Sequence, residues 1–434
     1  MDLKPKLKTL SSGLSFLKLP LESSQSVTAM LLVKVGSRYE SKSISGLSHF
    51  LEHLVFKGTE KYNSPLKLAS VVDSIGAEFN AFTSKEYTGF YVKSASAYLD
   101  LSLDVLSQLV FQPLLKASDI KREKGVILEE INMREDTPMY KVGEDLESLM
   151  YQDTSLGRRI IGFKETVLKM QIEDFLKYRQ TWYQPSRMIL GLVGGFEKAD
   201  SLVNKYFSLN FKKEKNLFKD KKKKVKDLKT LSFSQIKPEV NLGFKKTEQA
   251  HLALGLRTFP RGHQDRYVLA VLSTILGGNM SSRLFTEVRE KRGLGYYIKS
   301  APESYFDNGY LMVQAGVDLK KVKETVKVIL NELHKTRGGR GEIEDLELKK
   351  AKQYLEGKLA LSLEDSKDIA SFFTEDYLLE GRVRTIKEII KGVKKVSLSD
   401  LKRVAKIIFT QKNLNLALIG PYRDEEQFEN LLKL

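Results

Sequence analysis

An internal repeat constrains the fold of this chain more than any other sequence feature. Residues 174–196 align without a gap on residues 400–422, so the offset between equivalent positions is constant, and Gly194 falls on Gly420. Each copy has the pattern of a helix, a turn and a buried strand that ends in glycine. A repeat of this length indicates two duplicated domains rather than a solenoid of short units.

The length and the pattern of elements predict a two-domain α+β protein. A chain of 434 residues is too long for one ordinary domain. We expect a zinc-bearing domain at residues 1–211, a connector with ten lysines and three acidic residues at 212–229, and a second homologous domain at 230–434. Each domain is expected to be an α/β sandwich, a sheet with helices packed on one side. The clearest predicted helices are 65–75, 97–111 and 320–334, and the clearest predicted strands are 29–35, 88–92 and 309–315.

Residues 49–53 read His-Phe-Leu-Glu-His, an H-x-x-E-H motif that predicts a metal site. On a helix with about 3.6 residues per turn, His49 and His53 project from one face, where both rings can bind one divalent ion. Glu52 lies beside them, where its carboxylate can act as a general base without being a ligand itself. Only five histidines occur in the chain, and the other three show no ligand spacing, so we interpret this pair as metal ligands.

Such a site needs a third protein ligand, because a catalytic zinc ion usually has three of them and one open position. The natural donor is an acidic helix predicted at residues 119–132. Glu123 and Glu130 are seven positions apart, two helical turns, so they share a face that Glu129 does not. Taken alone, the charges of this helix would indicate only a solvated surface. Its expected buried anchor consists of Val126, Ile127 and Leu128.

The motif, together with Glu130 far downstream of it, resembles the inverted-zincin signature of the pitrilysin family of metallopeptidases. The resemblance implies that His49, His53 and Glu130 bind one zinc ion per chain and that Glu52 is the general base. It also matches Glu123 to a glutamate that supports activity in the family without binding the metal. Within the family, the chain is most similar to two-domain bacterial members that look like processing peptidases.

A second stretch extends the resemblance to substrate binding. Residues 76–83 resemble the edge strand to which the family adds the substrate backbone as a further β-strand. The resemblance assigns Asn80, Ala81 and Phe82 to substrate binding. Without it, this stretch could also be interpreted as a plain hairpin strand.

A third stretch lies in the half of the chain that lacks the histidine motif. Arg289 and Tyr296 resemble the family's arginine and tyrosine pair, although their spacing alone would indicate only ordinary helix and strand residues. The resemblance implies that Arg289 anchors the substrate backbone and that Tyr296 hydrogen-bonds the tetrahedral oxyanion. In relatives of this length two chains form the closed chamber, each contributing half of a clamshell. We therefore expect a homodimer whose active site is shared between the subunits.

The composition argues against several other classes of protein. The chain has no cysteine, which excludes disulfides and thiolate metal sites. It has no apolar run long enough to span a membrane and no apolar signal segment at its start, so we expect a cytoplasmic protein without a membrane partner. The net charge of +17 would suit nucleic-acid binding, but the four lysines at 221–224 lack interleaved aromatic residues. We therefore do not expect nucleic acid to be the main partner.

These features together predict a zinc-dependent endopeptidase that cleaves peptides or unfolded polypeptide segments inside an enclosed chamber. In this hypothesis Glu52 takes a proton from water and returns it to the leaving amine. The main alternative is a non-catalytic core or assembly subunit of the same family, since the family includes members without activity. A basic nucleic-acid-binding protein is the third hypothesis.

Overall fold

The computed structural model describes residues 3–208, 228 and 230–434, which divide into two compact units. Of the described residues, the first unit comprises 3–132, 158–208, 228 and 360–386, and the second comprises 133–157, 230–359 and 387–434. Most of the predicted lysine-rich connector, residues 212–227 and 229, lies outside the described residues.

Eleven strands and fifteen α-helices are found within the described residues. In chain order the strands are β1 Lys6–Thr9, β2 Ser15–Pro20, β3 Ser26–Val33, β4 Glu78–Thr83, β5 Thr88–Ala95, β6 Met188–Gly194, β7 Glu239–Phe244, β8 Gln249–Thr258, β9 Gly295–Ser304, β10 Gly309–Asp318 and β11 Leu414–Gly420. The helices are α1 Leu47–Val55, α2 Pro65–Asp73, α3 Leu99–Phe111, α4 Ala117–Asp136, α5 Pro138–Met150, α6 Lys164–Lys169, α7 Ile172–Trp182, α8 Asp200–Phe207, α9 Arg266–Gly277, α10 Val322–Thr336, α11 Asp345–Ser362, α12 Ser366–Glu380, α13 Ile386–Lys395, α14 Leu398–Ile408 and α15 Glu426–Glu429. The predicted helices and strands are all present, with ends close to the predicted ones.

Each unit contains one mixed sheet, and the two sheets share one topology apart from the additional edge strand β1. The first has the order β1-β2-β6-β3-β5-β4 and the second the order β7-β11-β8-β10-β9. In each sheet one pair is parallel, β2 with β6 and β7 with β11, and the other neighbours are antiparallel. The prediction of two α+β domains built on one plan is therefore confirmed.

The internal repeat coincides with real elements. Helix α7 and strand β6 in the first unit correspond to α14 and β11 in the second, and both ends of each element are displaced by the same offset as the sequence repeat. Both strands are buried along their whole length. The repeat thus corresponds to one helix and one buried sheet strand in each unit. Close packing constrains the residues of such core elements most strongly, so their pattern is similar in both units.

Helices cover both faces of the first sheet, whereas the sequence predicted helices on one side only. Alternate residues of β3, such as Ala29 and Leu31, pack into the main core of the unit. The residues between them face α12, since Thr28 hydrogen-bonds Ser366 at 2.8 Å and Thr374 contacts the sulfur of Met30. Without a cover, the second face of this central apolar strand would be exposed to water. Helix α12, from the C-terminal half of the chain, shields this face from solvent.

The second sheet is covered in the same way by a helix from the N-terminal half. Alternate leucines of β8, including Leu252 and Leu254, lie in the main core of this unit. On the opposite face, Ala253 belongs to a separate cluster with Val142 and Leu146 of α5. The compact units consequently group the chain differently from a single cut between residues 211 and 230, because each sheet is completed by a helix from the other half.

No helix in the described parts of the chain combines the length and apolar character needed to cross a membrane.

Candidate metal centre

Helix α1, which carries the H-x-x-E-H motif, begins at a tightly built turn. Gly46 precedes it with φ of 98°, a left-handed conformation, and a Cβ there would lie 2.6 Å from the carbonyl oxygen of Ile161. The buried carboxylate of Glu40 accepts hydrogen bonds of 2.7 Å from the backbone N–H groups of Gly46 and Ser48. Burial raises the pKa of Glu40 to about 7 despite these bonds. The start of the motif helix is therefore fixed by contacts that satisfy its first N–H groups.

The amphipathic pattern of α1 orients the motif. Four side chains on one face pack into the core with exposures of 1% or less, and they are Leu47, Phe50, Leu51 and Leu54. His49 and His53 lie on the other face, with ring centroids 4.6 Å apart. The pattern therefore buries the apolar face and presents both rings together, as the one-turn spacing predicts.

Glu130 of α4 lies opposite the two histidines. Its Oε2 atom is 3.5 Å from Nε2 of His49 and 3.5 Å from Nε2 of His53. One ligand atom from each of the three residues lies within 4.8 Å of the others. Tetrahedral zinc with bonds of roughly 2.0–2.2 Å places its ligands about 3.3–3.6 Å apart, so this donor set fits a zinc ion with one position open.

Glu123 lies two turns before Glu130 on α4 and contacts the other nitrogen of His53. Its Oε1 is 3.1 Å from Nδ1 of His53, and its Oε2 is 2.7 Å from Nζ of Lys57. Burial opposes ionisation, but the hydrogen bonds with His53 and Lys57 outweigh it and hold the pKa of Glu123 below its ordinary value. Because an ionised carboxylate only accepts, Nδ1 of His53 donates, and in a neutral ring this leaves on Nε2 the lone pair that a metal requires.

The carboxylate of Glu52 lies beside the three candidate ligands and is held from a neighbouring strand. The hydroxyl of Thr83, the last residue of β4, donates a hydrogen bond of 2.6 Å to Oε2 of Glu52. Burial raises the pKa of Glu52, while the hydrogen bond from Thr83 lowers it in part. A half-buried carboxylate with a raised pKa is typical of a general base or acid.

Helix α4 is buried less completely than predicted. Ile127 is fully buried, but Val126 is 49% exposed. The correction follows from helix geometry, because Ile120, Glu123 and Ile127 lie on the face turned toward the core, and the residue next to Ile127 points about 100° away. Glu129 is exposed, in agreement with its predicted separation from Glu123 and Glu130.

Strand β4 lies at one of the two edges of its sheet in the described part of the chain, and it holds the three predicted substrate-binding residues. Asn80 is exposed, and its Oδ1 accepts a hydrogen bond of 2.8 Å from the backbone N–H of Ala81. The ring of Phe82 packs edge-on against Tyr87 on the sheet face. Because β4 lies at the edge of its sheet and ends at Thr83, which contacts Glu52, a peptide paired along β4 would lead toward the candidate base.

Arg289 and Tyr296 belong to the second unit. Arg289 is exposed near the end of a short π-helix, Phe285–Glu290, and its guanidinium lies over the ring of Phe285. Tyr296 is the second residue of β9 and is 71% exposed. Single π-helical turns are frequent at functional sites, so the local structure suits a binding role. The part that both residues would play at the metal site stays a prediction.

Two contacts of the site were not predicted from the sequence. Thr83 is the last residue of the stretch 76–83 that carries the resemblance, and Lys57 follows the motif by four residues, but the sequence assigns a role to neither. Lys57 and its partner Glu123 are far apart in the sequence, and Thr83 and Glu52 are also well separated along it. Their polarity beside the motif helix and at the end of the edge strand was the only available signal.

Two stretches of the chain match described families. Residues 19–164, which include the motif and Glu130, match the family described as "Insulinase (Peptidase family M16)". Residues 169–355 match the family described as "Peptidase M16 inactive domain".

Proteins from several bacteria are similar to the chain over most of its length. An "uncharacterized zinc protease" of Bacillus subtilis is 36% identical over 92% of this chain and 93% of its own. A protein of the same description from Streptomyces coelicolor is 33% identical over 96% of this chain and 90% of its own. The solved structure of a protease from Helicobacter pylori has a TM-score of 0.89 and 26% identity, and it covers 97% of this chain and all of its own. The chain therefore belongs to peptidase family M16, the insulinase family.

Proposed function

We propose that this protein is a zinc-dependent endopeptidase that acts on peptides or unfolded polypeptide segments. The observation that carries the proposal is the convergence of His49, His53 and Glu130 from two helices at separations that suit zinc. Glu52 beside them supplies a carboxylate that is not needed as a ligand. The similar bacterial proteins are named zinc proteases, which supports the same conclusion.

His49, His53 and Glu130 would hold the metal. A zinc ion bound there would act as a Lewis acid, polarising the scissile carbonyl and making water more acidic. The chain contributes the orientation of its ligands, because Glu123 fixes the tautomer and ring direction of His53 through Nδ1. Lys57 in turn balances the charge of Glu123.

Glu52 would move the protons of the reaction. With Oε2 held by Thr83, its other carboxylate oxygen accepts a proton from the attacking water. The water oxygen forms a bond to the scissile carbonyl carbon, the C–N bond breaks, and the proton passes from Glu52 to the leaving amine nitrogen. Burial raises the pKa of Glu52, and this direction favours a carboxylate that accepts a proton and then returns it.

Substitution of Glu52 tests this assignment. Glu52→Gln keeps the size of the side chain and its contact with Thr83 but cannot take a proton. We expect it to bind zinc like the wild type and to lower kcat by about 100-fold to 10,000-fold. Glu129→Gln is the matched control, because Glu129 is an exposed glutamate on α4. Equal activity of Glu52→Gln and Glu129→Gln would contradict the assignment.

The substrate would bind as an added strand along Asn80, Ala81 and Phe82 of β4. Main-chain pairing extends a peptide and makes little demand on its sequence, which suits an enzyme for unfolded segments. Arg289 and Tyr296 would then contact the substrate backbone and the oxyanion, respectively. We propose that they come from a second copy of the chain, in a homodimer that encloses the reaction.

A mixing experiment tests the shared site. Neither Glu52→Gln nor Tyr296→Phe protein should be active alone. In an equal mixture, half of the dimers are hybrids, and each hybrid has one intact site, so activity should recover to about a quarter of the wild-type value. Subunit exchange is checked by native mass spectrometry of differently tagged chains. Proven exchange without recovery would show that the site is not shared.

A non-catalytic subunit of the same family is the second candidate. It is favoured by the match of residues 169–355 to a family described as inactive. That match covers none of the candidate ligands, whereas the match that includes them is to the insulinase description. Zinc-free protein that cleaves no peptide under any condition would favour this second candidate.

A further inference from the structure

The contact between Thr83 and Glu52 joins the edge strand of the first sheet to the motif helix. Oγ1 of Thr83 lies 2.6 Å from Oε2 of Glu52. Since the carboxylate accepts, the threonine hydroxyl is the donor. Both residues belong to the first unit, so the contact lies inside one compact body.

The rest of this strand face holds Thr83 in place. Side chains at every second position of β4 point to the same side of the sheet. Phe79 packs edge-on against Phe56 just after the motif helix, with ring centroids 5.4 Å apart, and Ala81 is only 7% exposed. Thr83 is therefore the polar end of an otherwise apolar contact between β4 and the motif helix.

The chemistry of the two side chains suits a positioning role. A glutamate has three rotatable side-chain bonds, so a half-buried carboxylate without a donor would sample several positions. Threonine is branched at Cβ and has few χ1 rotamers in a strand. The pairing of Thr83 with Thr88 across the sheet fixes its backbone as well. A stiff donor thus fixes one oxygen of a flexible acceptor.

We propose that Thr83 is a positioning residue for Glu52, which holds Oε2 so that the other carboxylate oxygen faces the substrate. Because Thr83 ends the strand on which the peptide would pair, the same residue links the bound peptide to the position of the base. This inference rests on the proposed peptidase function. It adds a residue that the histidine motif, the metal ligands and the Arg289 and Tyr296 pair do not include.

Two substitutions at position 83 separate positioning from a merely structural role. Thr83→Val keeps the shape and the strand preference but removes the donor, whereas Thr83→Ser keeps the donor. We expect Thr83→Val to lower kcat by roughly 10-fold to 100-fold, with KM and zinc affinity within about twofold of the wild type. Thr83→Ser should restore most of kcat.

Thr88→Val is the matched control, because Thr88 lies directly opposite on β5 and donates to the carbonyl oxygen of Val35 instead of Glu52. We expect this variant to lose thermal stability and to keep kcat within about twofold of the wild type. An equal fall of kcat in Thr88→Val and Thr83→Val, or no rescue by serine, would overturn the proposal. Wild-type kcat in Thr83→Val would overturn it too.

A structural measurement decides the question without turnover. In crystals of metal-free protein, the Glu52 carboxylate should occupy one position in the wild type and more than one in Thr83→Val. A single unchanged Glu52 conformer in the variant would overturn the proposal. If the zinc-loaded wild type cleaves no peptide, the proposed function fails by itself, and this comparison still tests the role of Thr83.

Discussion

Nδ1 of His53 lies 3.1 Å from Oε1 of Glu123, so the proton on this ring is held on the side away from the candidate metal. Nε2 of the same ring is 3.5 Å from Glu130 and presents its lone pair to the space between the three ligands. The second oxygen of Glu123 meets Lys57 at 2.7 Å. Lysine, glutamate and histidine therefore form a chain of contacts that leads to the metal position.

This chain of contacts predicts that Lys57 affects metal affinity without touching the metal. Lys57→Met removes the cation that stabilises the ionised form of Glu123, which weakens the hydrogen bond that orients His53. We expect zinc affinity to fall by roughly 10-fold, at the lower end of the range for groups that support a ligand. Competition with a chromophoric chelator measures this affinity. Lys57→Arg keeps the charge and should stay near the wild type, and a similar loss in both variants would contradict the explanation.

Because α12 packs on the first sheet, substitutions at Gly191 and Thr374 should affect stability in a non-additive way. A Cβ at Gly191 of β6 would lie 2.4 Å from Cγ2 of Thr374. Gly191→Ala should therefore lower the free energy of unfolding by about 1–3 kcal/mol through overpacking. Thr374→Ser removes the opposing methyl group, so the double variant should recover part of that loss. Urea unfolding followed by circular dichroism measures both values.

Gly357 is the control for this pair, because it lies in α11 and a Cβ there would meet nothing within 4 Å. Gly357→Ala should leave stability unchanged or raise it by up to about 1 kcal/mol. Additive effects of Gly191→Ala and Thr374→Ser would show that α12 does not pack on β6 as described.

An ion pair in the second unit predicts a pH dependence of stability. Arg403 donates two hydrogen bonds to Asp265, of 2.9 and 2.6 Å, and these bonds hold the pKa of Asp265 below its ordinary value. A carboxyl whose pKa is lowered on folding stabilises the fold above its unfolded pKa of about 3.9, and this stabilisation is lost as the pH falls. Asp265→Asn should therefore lower the free energy of unfolding at pH 7 and lower it less near pH 3. The loss at pH 7 should be only about 1 kcal/mol, because Arg403 is partly exposed.

Unfolding experiments between pH 3 and pH 7 check this dependence. Asp73→Asn serves as the control, because Asp73 is exposed and should show no such trend. A cost for Asp265→Asn that stays constant over this range would contradict the role of the ion pair.

The duplicated fold and the candidate metal ligands could be predicted because both are periodic or local patterns. Helix α7 and strand β6 share their spacing with α14 and β11 because equivalent core positions need equivalent residues. His49 and His53 are neighbours on one helical turn, so their meeting requires no knowledge of the tertiary fold. The same periodicity places Glu123 and Glu130 on one helix face, and the family resemblance then implies their roles.

The cover on the second face of each sheet could be predicted only in part. The continuous apolar run of β3 is typical of a strand buried on both faces, rather than the alternation of a half-exposed strand. Sequence periodicity does not say which helix supplies the cover. That helix, α12, lies near the other end of the chain, and its contact with β3 through Thr28 and Ser366 is set by the tertiary fold.

The roles of Thr83 and Lys57 at the candidate site could not be predicted from the sequence, because they also depend on the tertiary fold. Each acts through one hydrogen bond or ion pair with a distant residue, and a threonine or a lysine at such a position has many other uses. Val126 shows the reverse error. The apolar run of three residues predicts that Val126 is buried, but the helix buries only one face and leaves this side chain exposed.

The proposed function requires that His49, His53 and Glu130 hold a zinc ion on which peptide cleavage depends. The most direct test measures the zinc content of purified protein together with its cleavage of an internally quenched peptide, before and after chelation and after zinc is restored. We predict about one zinc ion per chain, loss of cleavage on chelation and recovery with added zinc. Cleavage that persists in fully zinc-depleted protein, or zinc-loaded protein that cleaves no peptide, would contradict the claim.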